Sequence, residues 1–143
     1  MTPVERAVRA AVYQWIIDEV RGPSVDDLAK AIGSPPEVIR EALHSLEDAH
    51  LLARTPARDS VMMAQPFSGI ETGFEAVVGD RTWNANCAWD SLAILALMGD
   101  GKALADPLDP ELVWSVSDGV VEPHGLIHLR VPAKSFWDDI GFT

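Results

Sequence analysis

Between Val4 and Val20, apolar residues fall at Val8, Val12, Trp15, Ile16 and Val20. Spacings of three and four place them on one face, which predicts a helix with one buried side. The turn formers of "RGPS" (21–24) end it. Ser24 then fits an N-cap with Asp27 at the third helical position, a capping-box pattern. Leu28, Ala29 and Ile32 supply the next apolar stripe, and Gly33 suits the helix C-terminus. A third start follows at Ser34, with Pro35 at the first helical position and Glu37 at the third. Val38, Ile39, Ala42, Leu43 and Leu46 carry its stripe to residue 48. "LLARTPARDSVMMAQ" (51–65) predicts a two-stranded ribbon. Three helices, a tight turn between the last two and a hairpin make a winged helix-turn-helix pattern over residues 1–66.

The pattern changes across the turn-rich stretch 57–73, and residues 67–143 read as a second, α+β section. "FEAVVG" (74–79) predicts a strand, "DRTWNAN" (80–86) a turn and approach, and Cys87 to Met98 a helix. "ELVWSVSDG" (111–119) and "GLIHLRVP" (125–132) predict strands. In the latter, Leu126, His128 and Arg130 alternate with Ile127, Leu129 and Val131. "KSFWDDIGF" (134–142) predicts a short helical turn or loop. The expected fold is α+β: an N-terminal winged-helix-like arm, then a small mixed sheet with flanking helices.

Charge narrows the choice of partner. Acidic residues outnumber basic ones 22 to 11, a formal net charge of −11. Such a surface repels phosphate backbones and anionic lipid. Helix 34–48, where a DNA reader would sit, carries Glu37, Glu41, Glu47 and Asp48 against Arg40. Nucleic acid and membrane are therefore poor partners, and the arm is expected to brace the second section. Hydrophobic residues at 48% and charged residues at 23% fit a folded globular chain. A single cysteine excludes an internal disulfide framework. The first residues lack the apolar core of a signal peptide, and the run Leu92 to Met98 is too short to span a bilayer, so a cytoplasmic location is expected.

That one thiol, Cys87, stands three residues before Asp90 in "NCAWDSLAILALMG" (86–99). As structural residues, Cys87 is a small buried apolar group and Asp90 an anion favoured in a first helical turn. As functional residues, they share a helix face, with Asn86 as cap and the helix dipole lowering the thiol pKa. Trp83, Trp89 and the apolar run would keep the site dry. A soft thiolate beside a proton-carrying carboxyl suits binding a soft metal and protonating what leaves it.

The segment "NCAWDSLAILALMG" resembles the active-site segment of the organomercurial (alkylmercury) lyases, in which Cys-Ala-x-Asp opens a helix. The resemblance implies an alkylmercury-lyase-like catalytic core over 67–143 and protonolysis of a carbon–mercury bond to hydrocarbon and Hg(II). Cys87 resembles the thiolate that binds mercury, and Asp90 the residue that delivers the proton. The implied ligand is an organomercurial small molecule, with acceptor thiols taking the Hg(II) afterwards and no cofactor beyond the substrate's mercury. The family's second catalytic cysteine belongs in or just after a segment like "SFWDDIGF", where this chain has Thr143. The chain is accordingly expected to continue past Thr143, through a truncated gene reading or a UGA codon for selenocysteine read as a stop. The alternative is a non-catalytic soft-metal or organometal-binding protein, or a sensor with a winged-helix arm.

Other polar groups carry weaker signals. On a strand, His124 and His128 would lie about 13 Å apart at ~3.3 Å per residue, too far to share a metal. Asp106, Asp109 and Glu111 in "ADPLDPEL" read as an acidic loop, and Asp138 and Asp139 as solvated. Phe136 and Trp137 are expected to pack over the site.

Overall fold

The computed structural model describes residues 1–109, 111–129 and 131–140. Helix α1 spans Pro3–Glu19, α2 Val25–Ile32 and α3 Pro36–Asp48. The first two begin in full capping boxes, Thr2 with Glu5 and Ser24 with Asp27. Gly33 closes α2 in the left-handed conformation at φ 72°. The cap expected at Ser34 shifts by one residue: Pro35 is the N-cap and Pro36 the first helical residue. The ring of Pro36 crowds the residue before it out of the helical region, which leaves Pro35 at ψ 143°. Val8, Val12, Leu28, Ile39 and Leu43 are fully buried where the three helices meet.

A three-stranded antiparallel sheet follows, with β1 Ala53–Arg54, β2 Val61–Ala64 and β3 Phe67–Ser68 in that order. The ribbon expected over 51–65 thus gains a third strand. Arg54 ties it to α3 through two bonds donated to Glu47 Oε2, at 3.0 and 2.7 Å. Gly22 and Gly69 permit a close crossing here: Gly22 N–H donates to Gly69 O at 2.9 Å. A Cβ on Gly22 would fall 1.7 Å from the Val61 carbonyl oxygen. Gly22→Ala is therefore expected to destabilise the protein by about 2–3 kcal/mol through backbone displacement, read as a lower urea midpoint. An unchanged midpoint would mean that the crossing relaxes freely.

The second sheet has five strands in the order β5-β4-β6-β7-β8. They are β4 Glu75–Val78, β5 Arg81–Asn84, β6 Gly101–Leu104, β7 Val113–Ser117 and β8 Val120–Glu122. The sheet expected to be mixed is antiparallel at every described pairing. Its strand neighbours explain this: hairpins join β4 to β5 and β7 to β8, while helix α4, Ala88–Met98, carries the chain from β5 to the other edge of β4. α4 packs on β4 and β6.

Two sequence expectations fail here. "DRTWNAN" contains β5 rather than only a turn, because Arg81 to Asn84 pair with β4 in full register. Described residues of 125–132 form no strand. Their alternation is genuine, but Leu126 stays 97% exposed and β8, the edge strand, ends at Glu122 before Pro123, which has no N–H to donate. Arg130 of that alternation and residues 141–143 of the tail lie outside the described residues. "KSFWDDIGF" begins in a short 3-10 turn, Ala133–Ser135, as expected.

The apolar core runs without a break from α1–α3 through Phe67 and Trp83 to Ile94 and Leu95 of α4. Polar ties cross the same boundary. Arg81 donates to the Ile17 carbonyl, and Trp83 Nε1–H donates to the same oxygen at 3.0 Å. Among the described residues no helix is long and apolar enough to cross a membrane.

Candidate functional site

The start of α4 is held from both sides. Ala85 N–H donates to Phe74 O at 2.8 Å, and Thr72 Oγ1 donates to Ala85 O at 2.5 Å. Ala85 also bridges Phe67 of the first sheet. With residue 85 fixed, the chain turns into the helix through Asn86 and Cys87. Cys87 is itself the N-cap, extended at φ −158° and ψ 177°, and its side chain makes no capping bond. Asn86, expected to cap, does something else. Its Nδ2 donates to Pro66 O at 3.2 Å and to Asp90 Oδ2 at 2.9 Å. Asp90 is 8% exposed and Ser91 fully buried.

A cavity of about 370 Å³ opens at this helix start. Asn86, Cys87 and Ala88 form one wall, and Phe74, Pro107 and Leu108 another. Ile127, His128, Leu129, Val131 and Phe136 line it from the C-terminal segment, and Asp106 lines it too. Cys87 thus faces a mainly apolar chamber. Asp90, buried one turn further along α4, is joined to the cavity wall by Asn86.

Electrostatics follow from that burial. Burial pushes the Cys87 thiol up, backed by the negative charge of Asp90; the backbone N–H groups of Asp90 and Trp89 pull the other way without winning. The lowered thiol expected from the helix dipole is thereby corrected: desolvation outweighs the first-turn donors. Burial also raises the Asp90 carboxyl, against the opposing Asn86 bond. That direction is the one expected of a dry surrounding.

The residues expected to dry the site are different ones. Trp83 is buried between α1 and the second sheet, its indole bound to Ile17. Trp89 points outward at 64% exposure and lines a separate apolar groove with Trp114 and His124. Trp137 stacks on His50 with ring centroids 4.4 Å apart, whereas Phe136 does reach the cavity. The strand premise for the two histidines fails, and they part company: His128 stands in the Cys87 cavity and His124 in the groove. His128, Phe74 and Asp106 were not legible as site residues, since each is brought to Cys87 by tertiary folding. In the acidic loop, Asp106 and Asp109 accept from the N–H groups of Leu108 and Glu111. Among the described residues, no group of three or more His, Cys, Asp and Glu side chains could hold a metal ion.

No protein-family model matches the chain, and no curated protein matches it in sequence. Among solved structures, the crystal structure of the mercury-bound form of MerB2 is similar, at a TM-score of 0.62 and 19% identity. The match covers 85% of this chain and 59% of that one. The chain therefore shares an α+β fold with MerB2 and spans 59% of that protein's length.

Proposed function

We propose that the protein is an organomercurial lyase or a close relative, cleaving a carbon–mercury bond by protonolysis. The observation that carries this reading is Cys87 at the mouth of α4, facing an apolar cavity with the buried Asp90 one turn behind. The likeness to mercury-bound MerB2 supports it at the level of fold.

In the proposed reaction, R–Hg⁺ replaces the thiol proton of Cys87, forming an Sγ–Hg bond. Burial favours the protonated form of Asp90, so its carboxylate can take that proton. Asp90 then delivers the proton to the carbon. The carbon leaves as R–H with the electron pair of the Hg–C bond, and Hg(II) stays on sulfur with no change of oxidation state. Acceptor thiols remove it. The substrate's mercury is the metal in this scheme, and no further cofactor is invoked.

We read residues 1–66 as a winged-helix-like arm that braces a catalytic core over 67–143. Tyr13 Oη donates to Gln65 O at 2.9 Å, beside the Pro66 carbonyl that holds Asn86. Glu47, on the would-be recognition helix, is spent on Arg54 and Arg58. Glu37 and Glu41 are exposed there, which disfavours nucleic acid as a partner.

One observation favours a second reading, binding without cleavage: among the described residues, Cys87 is the only thiol that lines the cavity. Incubation with phenylmercury and excess small thiol separates the two. Benzene in the headspace, one per Hg(II) formed, is the expected result for a lyase. Stoichiometric uptake of phenylmercury without benzene would replace the lyase with a binding protein.

A further inference from the structure

Asn86 sits where the cavity wall meets the start of α4. Its amide nitrogen spends both hydrogens on acceptors, Pro66 O at 3.2 Å and Asp90 Oδ2 at 2.9 Å. Its Oδ1 is buried and accepts nothing among the described residues. Turning the amide over would set Oδ1 against two acceptors, so the network fixes its orientation. The anchor is itself held. Tyr13 on α1 donates to Gln65 O and meets Phe67 edge-on, on either side of Pro66.

We propose that Asn86 is a positioning residue: anchored on the Pro66 carbonyl, it holds the Asp90 carboxyl in one orientation and leaves Oδ1 as the oxygen that carries the transferable proton. An oxygen that accepts an N–H bond is the poorer site for a proton, so the acid hydrogen resides on the other oxygen. When that proton leaves, the bond to Oδ2 is already in place for the carboxylate and strengthens with its charge. No rearrangement is then needed at the moment of transfer. The arm takes part in the site by this route, from α1 through Tyr13 and the 65–66 turn to Asn86 and Asp90. The proton transfer rests on the lyase reading above; the positioning does not.

The test measures position and rate separately. In the wild-type protein, the Asn86 side-chain amide is expected to exchange its hydrogens slowly by NMR, and the Asp90 Hβ couplings to report one χ1 rotamer. In Asn86→Leu, similar in size but without a donor, the Asp90 rotamers should average. The single-turnover release of benzene from phenylmercury already bound should fall about 10- to 100-fold. A fast-exchanging Asn86 amide in the wild type, which requires no variant to fold, overturns the proposal. So does a single retained Asp90 rotamer in Asn86→Leu, or an unchanged release rate. If the wild type releases no benzene while Asp90 still averages in the variant, the lyase reading fails and the positioning stands.

Discussion

Cys87→Ser is expected to abolish phenylmercury uptake while leaving the protein as stable as before, or more stable. Mercury is soft and a hydroxyl is a hard donor, so affinity should fall by at least roughly a thousandfold. The stability half of the result follows from the backbone. Cys87 occupies the N-cap of α4 in extended geometry, with no capping bond from its side chain. Serine is among the best N-cap residues and commonly contributes about 1 kcal/mol there. A chain selected only for folding would place Ser at this position. Intact-mass measurement after exposure to phenylmercury reads the uptake, and thermal unfolding reads the fold. Full uptake by the serine variant would remove Cys87 from the chemistry. Lost uptake with a collapsed melting temperature would reduce the thiol to a structural residue.

Local chemistry explains which parts of this site could be read from sequence. The capping box of Ser24 and Asp27 and the C-cap at Gly33 stand in the structure as they read in the chain, because each motif satisfies its own backbone within a few residues. That Cys87 and Asp90 both fall at the start of α4 was legible for the same reason, since a helix start is set within a few residues. Asn86 was half legible: its place before the helix was clear, but Pro66 is 20 residues away, so its anchor was not. β6 escaped because "GKAL" is four residues with no apolar period, made a strand only by Ala76 and Trp114 on either side of Ala103. The alternation of 125–132 misled for the converse reason. It describes a two-faced segment and carries no information about a neighbour to pair with. The cavity wall drawn from Phe74, Leu108, His128 and Phe136 is a product of tertiary folding alone.

Asp90→Asn should separate binding from bond cleavage. The amide keeps the size of the carboxyl and can still accept from Asn86 Nδ2, so the start of α4 and the Cys87 side chain stay in place. Phenylmercury uptake is expected to match the wild type. Benzene release should fall by about 10²–10⁴-fold, the usual contribution of a positioned acid. The same variant carries a stability signature that does not depend on activity. Burial raises the Asp90 pKa in the fold, with the Asn86 bond only partly opposing it. Between the ordinary carboxylate value and the raised one, the native protein holds a proton that the unfolded chain has released. Stability present at low pH is therefore lost as pH rises through the folded pKa. The substituted amide does not titrate and has no such loss. The variant should match the wild type in acid and exceed it at neutral pH by on the order of 1 kcal/mol, read from urea midpoints at several pH values. Wild-type benzene release by the variant would exclude Asp90 as proton donor. A stability difference that fails to grow with pH would mean that the carboxyl ionises in the fold without penalty, and an acid so easily ionised would seldom hold the proton that the carbon needs.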